Sequence, residues 1–133
     1  MQTNISPPEV FKLLGQPIRV QIIMIIATGE ACVCHMEAVL GIRQATISQH
    51  LMVLRDSSLV TAKRIGRNIF YSLVNPALYE AAIQLSKAVG SSVDELKKYS
   101  ASPVQDCPCP ICNPGIDPEF SCMKVIKTRI TTN

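Results

Sequence analysis

A chain of 133 residues, 47 % hydrophobic and 5 % aromatic, is long enough for one aliphatic core, which excludes an intrinsically disordered protein. The longest apolar run, residues 22–27, is too short to cross a bilayer, and the N-terminus does not read as a signal peptide. We therefore expect a cytoplasmic protein without a membrane partner. Six cysteines in that compartment favour metal binding or redox chemistry over structural disulfides, and the net charge of +3 is small.

Three helices are predicted at the start of the chain. Ser6, followed by two prolines, begins the first helix, which ends at Gly15. A second helix begins at Pro17 and ends before Gly29. Its apolar residues recur at helical spacing: Ile18, Ile22, Ile25 and Ile26. A third, short helix covers about residues 33–40.

A fourth helix and a β-hairpin follow. Residues 44–55 form a helix with one apolar stripe made of Ile47, Leu51 and Leu54. Residues 59–65 and 68–74 have the composition of strands and flank a turn at Gly66 and Arg67. This pattern predicts an antiparallel hairpin.

The chain closes with a long helix and a tail. Asn75 and Pro76 begin the helix, and Gly90 with the two serines after it is a candidate interruption. Residues 100–118 contain five prolines and three cysteines, which excludes a regular helix or strand. We therefore divide the chain into a folded unit, residues 1–100, and a Cys/Pro-rich C-terminal tail, residues 101–133.

The basic residues concentrate in the segment that holds the fourth helix and the hairpin. Between residues 41 and 75, five basic side chains stand against a single acidic one, and the rest of the chain is about neutral. The charge of this segment alone is consistent with a solvated basic surface as well as with binding of an anionic partner.

The order of short helix, glycine-containing turn, second helix and hairpin indicates a winged helix-turn-helix, so the fold class is mainly α with a small β-hairpin. The second helix of such a unit enters the major groove, and the hairpin follows the phosphates. We predict DNA contacts from Gln44, Thr46, Ser48, Gln49 and His50 on the helix and from Lys63, Arg64, Arg67 and Asn68 on the hairpin. Ordinary polar surface is the alternative for the helix residues, and a hydrogen-bonded structural role is the alternative for His50.

Three stretches resemble the ArsR/SmtB family of bacterial metal-sensing repressors: LGQPIRVQII at 14–23, CVCHMEAVLGIRQATISQHLMVLRDSSLV at 32–60 and GRNIFYSL at 66–73. The resemblance covers about residues 8 to 100. It implies a homodimer in which the first and last helices pair across a two-fold axis, and an operator DNA with an inverted repeat. An enzyme is not expected, because the sequence has neither a Gly-rich phosphate loop nor a Gly-x-Ser-x-Gly motif.

Cys32 and Cys34 lie at the predicted start of the third helix. Side chains at i and i+2 of a regular helix point about 200° apart, so the two sulfurs can share an ion only if the first turn unwinds. The resemblance implies that this Cys-x-Cys pair binds the sensed ion. The chain departs from the better-known arsenical sensors, which have a third cysteine just after the pair, where this chain has His35, Met36 and Glu37. His35 is a candidate ligand, but we expect it rather at the surface or at a helix cap.

The missing ligands are expected in the tail, which carries Cys107, Cys109 and Cys112 and could reach the cysteine pair of the other subunit. Three thiolates suit arsenite or antimonite, which we slightly favour, and also lead, whereas four suit cadmium or zinc. In this hypothesis, ion binding releases the repressor from its operator. Cys122 is expected to take no part. A thiol-redox-sensing repressor and a repressor with a structural zinc site remain open as alternatives.

Overall fold

The computed structural model describes residues 5–27, 29–66, 68–97 and 99. Within these residues, two helices are followed by a short strand, two more helices, a β-hairpin and two final helices. The elements are α1 (Pro7–Leu14), α2 (Pro17–Ala27), β1 (Ala31–Cys32), α3 (Val33–Leu40), α4 (Gln44–Asp56), β2 (Val60–Ile65), β3 (Asn68–Leu73), α5 (Ala77–Ala88) and α6 (Val93–Lys97).

Helix α1 lies on the outside of the fold. The backbone N–H of Ser6 donates to Oε2 of Glu9 at 2.9 Å, and prolines occupy the first helical positions. None of its residues is buried, and Phe11 is 67 % exposed. Within the described part of the chain, no single helix has the length and hydropathy of a membrane span, and α1 and α2 reach them only as a pair bent by 94°.

Helix α2 forms the centre of the core. Five consecutive residues, 22–26, are buried, so the second half of this helix is apolar on every side rather than amphipathic. Residues of α3, α4 and the sheet complete the core around it: Ala31, Met36, Ile47, Leu51, Leu54, Val60 and Tyr71. Gln21 on the same helix donates a side-chain hydrogen bond to the hydroxyl of Tyr99 at 3.0 Å, which ties the end of the described chain to the core.

The sheet has three strands in the order β1-β3-β2, where the sequence predicted only the hairpin of β2 and β3. In β1, Ala31 pairs with Tyr71 and Cys32 pairs with Phe70, both antiparallel. Two residues are too few for the alternation by which a strand is recognised in sequence. This short strand brings the cysteine segment into the same sheet as the hairpin.

The last helical segment is divided into α5 and α6, as the candidate interruption predicted. Gly90 has a φ of 76°, a left-handed conformation that costs glycine little and stops a helix. At the other end of α5, Oδ1 of Asn75 accepts a hydrogen bond from the backbone N–H of Ala77 at 2.9 Å. Leu85 and Val89 on this segment are 55 % and 69 % exposed.

We expect Leu51→Ala to lower the free energy of unfolding by about 2–5 kcal/mol, because the side chain is 1 % exposed and its removal leaves a cavity in the core. Met52→Ala is the matched control. Met52 is the next residue of the same helix and is 54 % exposed, so its loss should cost less than about 0.5 kcal/mol. Urea unfolding followed by circular dichroism measures both values, and equal losses would show that α4 does not pack as described.

Candidate DNA-binding surface and cysteine pair

Helix α4 presents a polar face to the outside. Its buried stripe is the predicted one, Ile47, Leu51 and Leu54. Of the predicted DNA contacts on this helix, Gln44, Ser48 and Gln49 are exposed, whereas Thr46 and His50 are half-buried at the edge of the polar face. These five side chains are spread around the part of α4 that lies outside its buried stripe. Their contact with DNA stays a prediction.

The start of α4 is held by the helix before it. Gly41 ends α3 in a left-handed conformation with a φ of 69°, which permits the sharp turn into α4. The side-chain amide of Gln44 donates to Oε1 of Glu37 at 2.9 Å. Glu37 was not among the sequence-predicted site residues. Its hydrogen bond orients the first of them.

The hairpin of β2 and β3 supplies the cationic side chains. Lys63 is 62 % exposed and lies 3.5 Å from the carboxylate of Glu30, and Nε of exposed Arg64 donates to the backbone oxygen of Gly66 at 3.3 Å. Asn68 is only 4 % exposed, which speaks against the predicted DNA contact of its side chain and places it in the sheet interior. Arg67 lies outside the described residues.

His50 has a partner on α2 that sequence reasoning missed. Nε of Arg19 donates to Nδ1 of His50 at 3.1 Å, and a terminal nitrogen of the same guanidinium donates to the backbone oxygen of Leu13 at 3.1 Å. Burial lowers the pKa of His50 below its ordinary value of 6.5, and the charge of Arg19 lowers the pKa further. Thirty-one residues separate the two side chains, so no local spacing signals this contact.

The sulfur atoms of Cys32 and Cys34 lie 2.8 Å apart, and both residues are buried, at 2 % and 8 % exposed. The expectation that a helical turn must unwind before they meet was wrong. Cys32 is the N-cap of α3, with an extended backbone at φ −94° and ψ 169°, so the pair straddles a strand end and a helix start. A cysteine binds an ion as its thiolate, so an ion site at this pair requires both sulfurs to be reduced.

His35 is fully buried, at 0 % exposed, so the expectation of a surface or capping position was wrong. It follows Cys34 on α3, but the described residues contain no group of three His, Cys, Asp or Glu side chains that could hold a metal ion. The predicted further ligands Cys107, Cys109 and Cys112, and also Cys122, lie outside the described residues.

The cysteine pair is connected to the hairpin through the backbone. Cys32 pairs with Phe70 across β1 and β3, and Phe70 pairs with Lys63 across β3 and β2. Glu30, two residues before Cys32, forms the ion pair with Lys63. Cys32 is therefore connected to Lys63 by two routes, the strand ladder and the ion pair that Glu30 forms.

The helix-turn-helix region matches the family model described as "Bacterial regulatory protein, arsR family" over residues 16–62. The chain is 33 % identical over 114 residues to the arsenic resistance transcriptional regulator ArsR2 of Pseudomonas putida, an alignment that covers 79 % of this chain and 98 % of ArsR2. It is 36 % identical over 67 residues to a transcriptional repressor SmtB homolog of Synechocystis, covering 50 % of this chain and 51 % of the homolog. The chain thus spans about half the length of that second relative.

Solved structures show the same fold. The transcriptional repressor BigR of Xylella fastidiosa superposes with a TM-score of 0.54 at 32 % identity, over 64 % of this chain and 87 % of BigR. Rv0081 of M. tuberculosis superposes with a TM-score of 0.59 at 27 % identity, over 65 % of this chain and 92 % of Rv0081.

We expect an NMR titration to give His50 a pKa below 6.5, and Arg19→Met to move this pKa back toward 6.5. A lowered pKa means that the folded chain prefers the neutral ring. The resulting stabilisation is present above pH 6.5 and is lost as the pH falls through the folded-state pKa. A pKa of His50 that stays the same in Arg19→Met would contradict the contact.

Proposed function

The chain belongs to the arsR family of bacterial regulatory proteins, and on that premise we propose that this DNA-binding transcriptional repressor is released from its operator when a thiophilic ion binds its cysteines. The observation that carries the proposal is the contact of the two sulfurs of Cys32 and Cys34 within the sheet that holds the hairpin.

The DNA-binding surface consists of the polar face of α4 and the cations of the hairpin. Exposed Gln44, Ser48 and Gln49 have the amide and hydroxyl groups that both donate to and accept from base edges, and half-buried Thr46 lies beside them. Exposed Lys63 and Arg64 supply charge for the phosphates and add affinity without reading sequence. Arg67 stays part of the proposal from sequence alone, and Asn68 does not.

Two copies of the chain are proposed to form the operator-binding unit. Phe11 on α1 and Leu85 on α5 are 67 % and 55 % exposed, and Val89 just after α5 is 69 % exposed. Large apolar side chains exposed on the first and the last helical segments support a two-fold interface between these segments. A dimer of this kind requires an operator with an inverted repeat.

The donor set of Cys32 and Cys34 suits a soft ion. The pair offers two buried sulfurs in contact with each other, and thiolates select thiophilic ions over hard cations such as magnesium. The name of ArsR2, an arsenic resistance regulator, supports As(III) or Sb(III) as the inducer, with Cd(II), Pb(II) and Zn(II) as alternatives. A third or fourth ligand would come from Cys107, Cys109 or Cys112.

Release of DNA would begin with a movement of Cys32. Sulfurs that share an ion at about 2.3 Å in a tetrahedral site lie about 3.8 Å apart, so a bound ion would fix the spacing of the Cys32 and Cys34 sulfurs. Because the backbone of Cys32 is paired with Phe70, a shift of Cys32 on ion binding would displace the hairpin strands. A coupling of about 1–3 kcal/mol per site is usual for such linkage and would suffice for release by two sites in a dimer.

A redox-sensing repressor is the second candidate function. The contact of the Cys32 and Cys34 sulfurs supports it, because oxidation of this pair would alter the same strand end. In this case an oxidant, and not an ion, would release the DNA. A structural zinc site, the other alternative, would fall on tail residues outside the described part of the chain.

We expect the double variant Cys32→Ser, Cys34→Ser to bind promoter DNA within about twofold of the wild type and to stay bound when the ion is added, because neither cysteine is a proposed DNA contact but both are proposed ion ligands. Fluorescence anisotropy with DNA from the chain's own promoter, in a phosphine reductant, measures binding while arsenite, antimonite, cadmium, lead or zinc is added.

Cys122→Ser is the matched control, since this cysteine is proposed to take no part, and it should respond like the wild type. Release of the double variant by the inducing ion would contradict the ligand assignment. Release of the wild type by an oxidant alone, with no effect of any ion, would favour the redox function.

A further inference from the structure

We propose that Arg19 is a positioning residue that fixes His50 in the tautomer with its proton on Nε2 and so presents that N–H to DNA as a hydrogen-bond donor. This inference rests on the DNA-binding function proposed above. It concerns a residue of the core helix α2 that lies outside the polar face of the recognition helix α4.

The tautomer follows from the chemistry of the two partners. A guanidinium has N–H donors and no acceptor, so Nδ1 of His50, 3.1 Å from Nε of Arg19, must accept the hydrogen bond with its lone pair. A neutral imidazole with an unprotonated Nδ1 carries its proton on Nε2. The lowered pKa of His50 agrees with a neutral ring.

Arg19 is itself held in place. Its second hydrogen bond, to the backbone oxygen of Leu13 at 3.1 Å, ties the guanidinium to the end of α1, and its side chain is half-buried on α2. The planar fork of a guanidinium donates in fixed directions, so two bonds define its orientation. The imidazole ring that accepts from this fork is thereby fixed as well.

The N–H on Nε2 points away from Arg19 and is available to a ligand. The two ring nitrogens of an imidazole face different directions, and in the described part of the chain no hydrogen bond to Nε2 of His50 is present. His50 follows exposed Ser48 and Gln49 and is itself partly exposed. An N–H fixed at this place can donate to a hydrogen-bond acceptor on DNA, either a phosphate oxygen or a purine N7 or O6.

The tautomer can be read directly by NMR. The chain has two histidines, so a long-range ¹H–¹⁵N spectrum of the reduced full-length protein contains two imidazole patterns, and His50→Gln assigns them. We expect the His50 pattern to show a protonated Nε2 and an unprotonated Nδ1. In Arg19→Met the pattern should move toward the average of both tautomers. A protonated Nδ1 in the wild type would overturn the proposal.

Two substitutions of His50 separate its two nitrogens. Asparagine keeps an acceptor near the position of Nδ1 but has nothing at Nε2, so His50→Asn should keep the melting temperature and lower the affinity for promoter DNA by about 2- to 10-fold. Glutamine reaches the position of Nε2 with an N–H but gives Arg19 no acceptor, so His50→Gln should lower the melting temperature and keep most of the affinity. Equal affinities of His50→Asn and the wild type would overturn the DNA contact.

The dependence of affinity on salt distinguishes positioning from direct contact. If Arg19 acts through His50, Arg19→Met leaves the slope of log affinity against log salt concentration unchanged; a slope smaller by about one would place Arg19 itself on a phosphate and overturn its positioning role. The affinity for different duplexes identifies the acceptor of the His50 N–H. If His50→Asn loses affinity equally for promoter and unrelated duplexes, the acceptor is a phosphate. If it loses affinity only for the promoter, the acceptor is a base.

Measurements of DNA binding distinguish a failure of the proposed function from a failure of this inference. If the wild type binds none of a set of duplexes tiled across its promoter, the proposed function fails and the DNA contact of His50 fails with it. If the wild type binds but the two His50 variants do not differ in affinity, only the inference fails.

Discussion

The geometry of the cysteine pair and its connection to the hairpin both depend on the pairing of β1 with β3. This pairing is two residues long, yet it holds Cys32 in an extended conformation beside Phe70 and so makes the cysteine segment a part of the hairpin sheet. Because Cys32 is extended and not helical, its sulfur can lie 2.8 Å from that of Cys34 without any unwinding of α3. Strand β3 also pairs with β2, which carries Lys63.

Helix α4, the recognition helix, is held by polar contacts from α3 and α2 and by the burial of its apolar stripe in the core. Glu37 on α3 accepts from Gln44 near the first turn of α4, and Arg19 on α2 donates to His50 in its middle. Both partners belong to elements that pack against the core, so the polar face of α4 is oriented by groups that need not contact DNA. Helix position and side-chain orientation are thus set by different residues.

Much of the fold follows from local sequence signals, whereas the details of the site depend on tertiary contacts. Glycines and prolines marked the ends of α2 and α3, and the stripe of Ile47, Leu51 and Leu54 identified the buried side of α4. The strand β1 was missed because two residues show no periodicity. The burial of His35 and Asn68 was missed because a polar residue gives no sign that its partners lie elsewhere in the fold. Arg19 was missed because its partner is 31 residues away.

The most direct test of the account is amide hydrogen exchange of the reduced protein with and without the inducing ion. We predict that ion binding changes the exchange rates at residues 31–32 and 70–71, where β1 pairs with β3, and leaves the core amides of α2 unchanged. If the ion binds and the rates at these paired residues stay the same, the cysteine pair is not coupled to the hairpin through the sheet.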